Sequence, residues 1–475
     1  MKTRNTKTPI SCLAAIFGAL LFAMSARAEN KVHVSPAPEG EPLSAQFKVR
    51  AEQANVPVYL ARVCSLSAEE RKRLGPPVES QTTTTAFASF DLEGQAKVTV
   101  TCNEEVKSVN VLPITSGLRP EVSGKTLTFT VNKPGPLTIE VNGDWIHSLH
   151  LFVDPVEKDI PDPKDPKVIY FGPGVHHVQS MTVNAGQTVY VAGGAIVYGD
   201  GGGNNPHDPI FRLQGANITL RGRGIIDGSL CPWHTRSIVA VVGSDIHVEG
   251  VTLRDSSGFT LPVRRSDRVK IENVKIFGWR GNSDGMDLCN SRQVEVTGSF
   301  LRTFDDLVVL KTDKGQGELR DVTVKNCVLW NEFAHALSLG AELREPLTNV
   351  LFTDCDVIHD KGREWLLRVY HCDSAPVKNV TFDHIRIEEA RRLMSVWIGK
   401  AVWSKESERG HIDGVTFKNI ESVTPISSPY ADLVGFDADH AVHDVHFEHV
   451  IVGQRELKPS DVRQNAFVSG VTIAP

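Results

Sequence analysis

Four aspartates fall between residues 282 and 306, in NSDGMDLCNSRQVEVTGSFLRTFDD: Asp284, Asp287, Asp305 and Asp306. Carboxylates held close together cannot all ionise freely. Like charges raise one proton affinity and leave a proton donor beside ionised partners. Glycoside hydrolysis uses this arrangement: one carboxylic acid protonates the leaving oxygen, and an ionised carboxylate activates water. The simpler alternative is that these aspartates are turn residues on a solvated rim, where aspartate is common. The choice depends on whether the chain brings position 284 next to positions 305 and 306.

A repeat in the sequence does that. Nine segments share a pattern of two short alternating strands broken by a Gly, Asn, Asp or His corner, among them NITLRGRGIIDG, RVKIENVKIFGW, QVEVTGSFLRTF and NVTFDHIRIEEA. Aligned on Ile218, Ile246, Val269, Val294, Val322, Val350, Val380, Val415 and Val445, they step by 28, 23, 25, 28, 28, 30, 35 and 30 residues. A strand-rich period in this range predicts the coils of a parallel β-helix. Stacked coils lie ~4.8 Å apart and bury together what one coil cannot bury alone. Asp284 and Asp305 are 21 residues apart, about one coil. Counted from the start of their repeats, Asp284 sits at offset 15, Asp305 and Asp306 at 11 and 12, His335 at 13 and Arg368 at 18. All five are therefore predicted on a similar side of four consecutive coils.

The rest of the chain frames that array. Lys2, Arg4 and Lys7 precede the apolar run ISCLAAIFGALLFAM, and Ala26-Arg27-Ala28 offers small residues for cleavage before Glu29. Residues 1–28 read as a signal peptide, too short in its apolar run for a membrane span. Segments such as AKVTVTC and KTLTFTV alternate apolar with polar residues, so 29–153 is predicted to be a small β-sandwich. Prolines 155, 161, 163 and 166 mark a stiff linker over 154–167. The β-helix then occupies 168–475. The expected fold is all-β: a right-handed parallel β-helix preceded by a β-sandwich. SAEERKRLG, capped by Ser67, is the one good helix candidate. Gly201–Gly203 lack a following Gly-Lys-Ser/Thr and read as a turn.

Without residues 1–28, 47 Lys and Arg face 57 Asp and Glu, a net charge of −10. An acidic chain is not drawn to nucleic acid or to anionic membranes. Neither a nucleic-acid partner nor membrane insertion is expected. Seven cysteines remain, with no C-x-x-C pair. Cys64 and Cys102 are a candidate disulfide in an oxidising compartment, and the others read as small buried side chains. The histidine-rich stretch DADHAVHDVHFEHV lacks regular zinc spacing, and no metal or cofactor is expected.

NSDGMD, a D-D pair 21 residues on, and AHALSLG resemble glycoside hydrolase family 28, the polygalacturonases, over roughly residues 165–455. The family's signatures are N-T-D-G, D-D, G-H-G and R-x-K. The resemblance implies an inverting hydrolase of α-linked galacturonate that uses no metal. It implies Asp305 as general acid, Asp284 and Asp306 as the pair that deprotonates water, and His335 as the histidine that tunes them. Departures from the pattern are Ser283, Phe304 in place of the usual Gly, Ala334 and Ala336 around His335, and Tyr370 in place of the lysine of R-x-K. In the family, that lysine and the arginine matched by Arg368 bind the substrate carboxylate. The sandwich-then-helix layout is similar to family 49, the dextranases, which apply the same three-aspartate logic to neutral α-glucans.

Further contacts to a poly- or oligosaccharide substrate are expected from Arg368, Tyr370 and Lys311. Trp279, Trp330 and Trp397 are candidates to stack on sugar rings. Asp287 is expected to support its turn. Two other readings stay open: a non-catalytic carbohydrate-binding adhesin, and a polysaccharide lyase, which needs a base and a group that neutralises the uronate. Export to the periplasm or beyond follows from the signal segment.

Overall fold

A computed structural model describes residues 30–200, 205 and 207–475, together with Met1. The signal segment and Gly201–Gly203 lie outside the described residues.

Alternation in the N-terminal strands translates directly into burial. Phe47–Ala51 and Ala96–Cys102 hide every second side chain, as a strand with one covered face does. Their five-stranded sheet faces a six-stranded one built around Thr82–Glu93 and Asp144–Pro155. Val98, Val100, Leu127, Ile139 and Leu149 fill the space between them. The last strand of the sandwich is Asp144–Pro155, and the first strand of the coils is Val168–Phe171. Among the described residues the one α-helix is Ala68–Leu74. The Ser67 side chain accepts from the Glu70 N–H there, and Glu70 reaches back to the Ser67 N–H.

Among the described residues from Val168 onward, 31 strands form one wound sheet whose coil-to-coil pairs are parallel. The nine repeat positions are direct partners: Ile218 pairs with Ile246, then Val269, Val294, Val322, Val350, Val380, Val415 and Val445 in turn. All nine are buried in one core. Phe352, Phe382, Phe417 and Phe447 stack at 4.9, 5.0 and 5.4 Å, one ring per coil. The corners have a backbone reason. Asn273, Asn326, Asp354, His384, Asn419 and His449 all hold positive φ, where Asn and Asp are the best tolerated side chains after glycine. The histidine-rich stretch is thereby divided: His449 is a corner, His440 lies 2.7 Å from Asp437, and His443 and His446 contact Ser469 and Thr472.

The sandwich lies against one side of the coils. Tyr59, Phe87, Leu112 and Phe152 meet Phe277, Phe300, Val328 and Trp330 in a shared apolar cluster. The candidate disulfide is not made. Cys64 and Cys102 are both free thiols and belong to different sheets and different buried clusters.

Candidate active site

Coil register carries the aspartates together. Gly278 pairs with Thr303, and Thr303 with Asn331; Met286 pairs with Val308, and Val308 with Leu337. The turns between these strands must therefore stack. Backbone hydrogen bonds join them: Phe304 N–H to Gly278 O at 2.8 Å, Gly285 N–H to Asp306 O at 2.8 Å, and Leu307 N–H to His335 O at 2.9 Å. Asp284, Asp305 and Asp306 each offer a carboxylate oxygen within 4.8 Å of the others. Asp305 is the half-buried member, and Asp284 and Asp306 are buried.

Each carboxylate has its own surroundings. The two oxygens of Asp305 accept the backbone N–H of Asn282 at 2.7 Å and of Asp306 at 3.1 Å. Oδ1 of Asp306 lies 2.5 Å from Nδ1 of His335. Lys311 donates to Asp284 at 3.1 Å and to Asp287 at 2.8 Å. Oδ1 of Asp284 has no hydrogen-bond partner among the described residues. Beyond His335, Glu364 lies 3.6 Å from Nε2 and accepts from Arg368 Nη1 at 3.1 Å. Arg368 also donates to Ser338 at 2.9 Å.

The sequence pattern of the glycosyl hydrolases family 28 matches residues 178–465. This chain belongs to that family. Polygalacturonases from Juniperus ashei and Chamaecyparis obtusa are each 22% identical to it, over 236 and 243 residues. These matches take in 44% and 45% of the chain, and it spans less than half of each relative, 45% and 46%. In three dimensions the family 28 chain is similar to Dex49A from Penicillium minioluteum, with a TM-score of 0.66 and 12% identity over 93% of this chain and 96% of that one. That likeness takes in the sandwich as well as the coils. The polygalacturonase of Erwinia carotovora shares the fold over 63% of this chain and 86% of its own, with a TM-score of 0.52 and 16% identity.

Neighbouring charges set the carboxylates of the family 28 chain apart. Burial, and then the charge of Asp306, pushes the Asp305 carboxyl up. Burial also opposes ionisation of Asp306. The charge and hydrogen bond of His335, with Arg368 and Lys311, outweigh it and hold Asp306 below the usual carboxylate range. Burial raises Asp284 as well, and Asp287, Asp305 and Asp306 add to it against the opposing Lys311. Lys311 resists deprotonation: burial works against its charge, and Asp284 and Asp287 overcome that. Glu364 is lowered to about 2, first by its pairing with His335, whose Nε2 lies 3.6 Å away.

Several sequence expectations change here. Trp330 has no exposed surface; it sits under the Arg302 guanidinium at 3.8 Å and beside Trp145 and His150 of the sandwich. Trp279 is buried too, with its indole N–H on Asp255 and Arg62 of the sandwich over its ring at 5.1 Å. Both are covered by the sandwich, so neither presents a face to a sugar. Asp287 is not a turn residue. It is fully buried in the strand Met286–Cys289, where it fixes Lys311. Lys311 is in turn bound to two carboxylates rather than free to reach a sugar.

Tyr370 stacks on Trp397 at 4.5 Å, and Arg368 lies over Tyr370 at 4.6 Å. Both rings are half-buried and sit on successive coils. Two residues that touch the site were missed in sequence, Glu364 and Asn282, and an exposed tryptophan, Trp233, stands beside the second. Trp233 is 55% exposed and is tethered by its indole N–H to Gly281 O at 2.9 Å, next to Asn282. Glu364 lies in the bend that precedes the strand Leu367–His371, four residues before Arg368, and such a spacing carries no message outside a helix.

Proposed function

We propose that this chain is a glycoside hydrolase that cleaves α-glycosidic bonds of a poly- or oligosaccharide by a three-aspartate, inverting mechanism. The observation that carries this reading is the opposite treatment of two adjacent carboxylates. Asp305 is half-buried and favours its proton; Asp306 is paired with His335 and favours its charge. Asp305 then protonates the leaving oxygen. Asp306 takes a proton from the attacking water, and Asp284, anchored by Lys311, helps to hold that water. Breaking the C–O bond and adding water conserves every atom, and the proton lost from Asp305 is restored from the water.

Inversion is argued from family membership. Carboxylate oxygens within 4.8 Å are closer than the usual inverting pair, which is separated by roughly 6.5–9.5 Å. Proton NMR of the first product anomer tests it directly, and net retention would remove the inverting assignment.

A neutral α-glucan or galactan is favoured over galacturonate by the Tyr370–Trp397 pair. Where the family pattern has a lysine for the substrate carboxylate, this chain has an aromatic stack, and Arg368 already serves Ser338 and Glu364. Aromatic faces suit the apolar faces of neutral sugars.

Export is proposed on residues 1–28. Among the described residues no helix is long and apolar enough to cross a membrane. The deciding experiment is a reducing-sugar screen on polygalacturonate, dextran, pullulan, α-1,3-glucan and galactan, with Asp305→Asn as control. Loss of a general acid lowers turnover by about 10²–10⁴-fold. Undiminished turnover in Asp305→Asn sinks the assignment; a product absorbing as an unsaturated uronate would point to a lyase instead.

A further inference from the structure

One stretch of the sandwich touches all three stacked turns. Arg62, in the strand Tyr59–Cys64, donates to both oxygens of Asp255 at 3.1 and 2.9 Å, and Asp255 accepts the indole N–H of Trp279. Pro76 presses on Gly281, where an added Cβ would stand 2.9 Å from the proline ring. The next residue, Asn282, supplies the N–H that holds Asp305.

Cys64 and Leu66 pack with Phe304 and Phe333, whose rings stack at 4.7 Å and 14°. Phe304 immediately precedes Asp305, and Phe333 stands two residues before His335. The departure from the family's glycine at 304 thus has a physical counterpart: the aromatic ring is the surface the sandwich grips.

Arg71 lies at the centre and has no exposed surface. Its guanidinium donates to Leu66 O at 2.8 Å, Cys64 O at 3.2 Å and Glu332 O at 2.8 Å, and ion-pairs with the Glu332 carboxylate. The other oxygen of Glu332 accepts from Arg302 at 2.7 Å, in the strand that leads into Phe304. A buried Arg–Glu–Arg triad is poor evidence for stability, because hydrophobic replacements often do as well; a role in fixing geometry is the better-attested use. Catalytic groups need placement within about 0.5 Å, and a misplacement of ~1 Å lowers rates by about 100-fold.

We propose that segment 62–76 of the sandwich, centred on Arg71, is a positioning element that sets the turns at 278–284, 303–306 and 331–335. The sandwich then helps build the catalytic site instead of only capping the coils. Arg71 is a positioning residue, since it reaches the carboxylates only through Glu332, Phe304 and Phe333. The proposal rests on Asp284, Asp305, Asp306 and His335 being the reacting set.

The test compares Arg71→Met, Leu66→Ala and Arg71→Lys with Val98→Ala, a cavity in the sandwich core away from the coils. Two readouts are used: kcat and KM on whichever polysaccharide of the panel is hydrolysed, and deuterium exchange in peptides covering the three turns. Arg71→Met and Leu66→Ala are expected to lower kcat by about 10-fold or more, with KM within about 3-fold, and to speed exchange in those peptides. Arg71→Lys is expected between them and wild type, because lysine keeps the charge without the fork. Val98→Ala is expected to lower Tm with kcat unchanged. Wild-type kcat and wild-type exchange in folded Arg71→Met and Leu66→Ala would overturn the proposal. If Asp305→Asn stays active, the catalytic reading fails by itself, and the exchange data still decide whether the segment orders the turns.

Discussion

Nδ1 of His335 stands 2.5 Å from Oδ1 of Asp306, across 29 residues of chain. The contact turns two adjacent aspartates into unlike groups. Asp306 is held ionised by the imidazole, while Asp305, which lacks that partner, is pushed toward its protonated form.

Replacing His335 with Gln removes the strongest influence lowering the Asp306 proton affinity. Its pKa then rises, so the acid limb of the pH–rate profile moves to higher pH, and kcat falls by about 10–100-fold. The depressed carboxyl also contributes stability above the unfolded carboxylate pKa, lost as pH falls through its folded value. That contribution shrinks in the variant. Rate profiles from pH 3 to 8 check the shift; an unmoved acid limb would separate His335 from Asp306 ionisation.

Asp305→Asn is expected to trade activity for stability. The folded state raises this carboxyl, so above its raised pKa the fold must ionise a group that resists charge. Asparagine removes that penalty but keeps only one of the two oxygens that accept the Asn282 and Asp306 N–H groups, so the net gain is small. Tm should rise by about 1–3 °C near pH 7, and the gain should fade as pH drops below ~4, where both states are protonated. Calorimetry at several pH values reads this, and a Tm lowered at pH 7 would contradict the sign.

Tyr370→Ala removes one face of the stack on Trp397. On the proposed role of this pair in sugar binding, losing an aromatic contact of ~1 kcal/mol raises KM by about 5-fold with little change in kcat. Tyr370→Lys tests the alternative substrate class: it should raise kcat/KM on polygalacturonate relative to dextran. No relative gain would detach position 370 from substrate choice.

Trp330 and Trp233 should behave oppositely. Trp330 is fully enclosed between coils and sandwich, so Trp330→Ala is expected to lose about 3–5 kcal/mol of stability. Trp233 is 55% exposed and tethered beside Asn282, so Trp233→Ala should raise KM and leave Tm within a degree or so. Denaturant unfolding and Michaelis kinetics on both variants distinguish the two; a raised KM in Trp330→Ala at full stability would reverse the assignment.

Coil register and the meeting of the aspartates were legible in the order of residues alone. Equivalent positions of a repeat must stack, so Ile218 through Val445 could be aligned on paper and prove to be paired residue for residue. Asp284 and Asp305 follow from that register, because 21 residues is about one coil. Helix Ala68–Leu74 was equally legible, since its cap is local chemistry. Which faces of the coils are covered depends instead on how the sandwich docks against them. Trp279 and Trp330 have the composition of sugar platforms, yet a sheet encoded more than 100 residues earlier lies over them. Pairings such as Arg71 with Glu332, or Lys311 with Asp287, depend on how separate surfaces dock and on which charges share a buried space. A one-dimensional period records the spacing along one helix of strands; it holds no information about what a second body presses against its side.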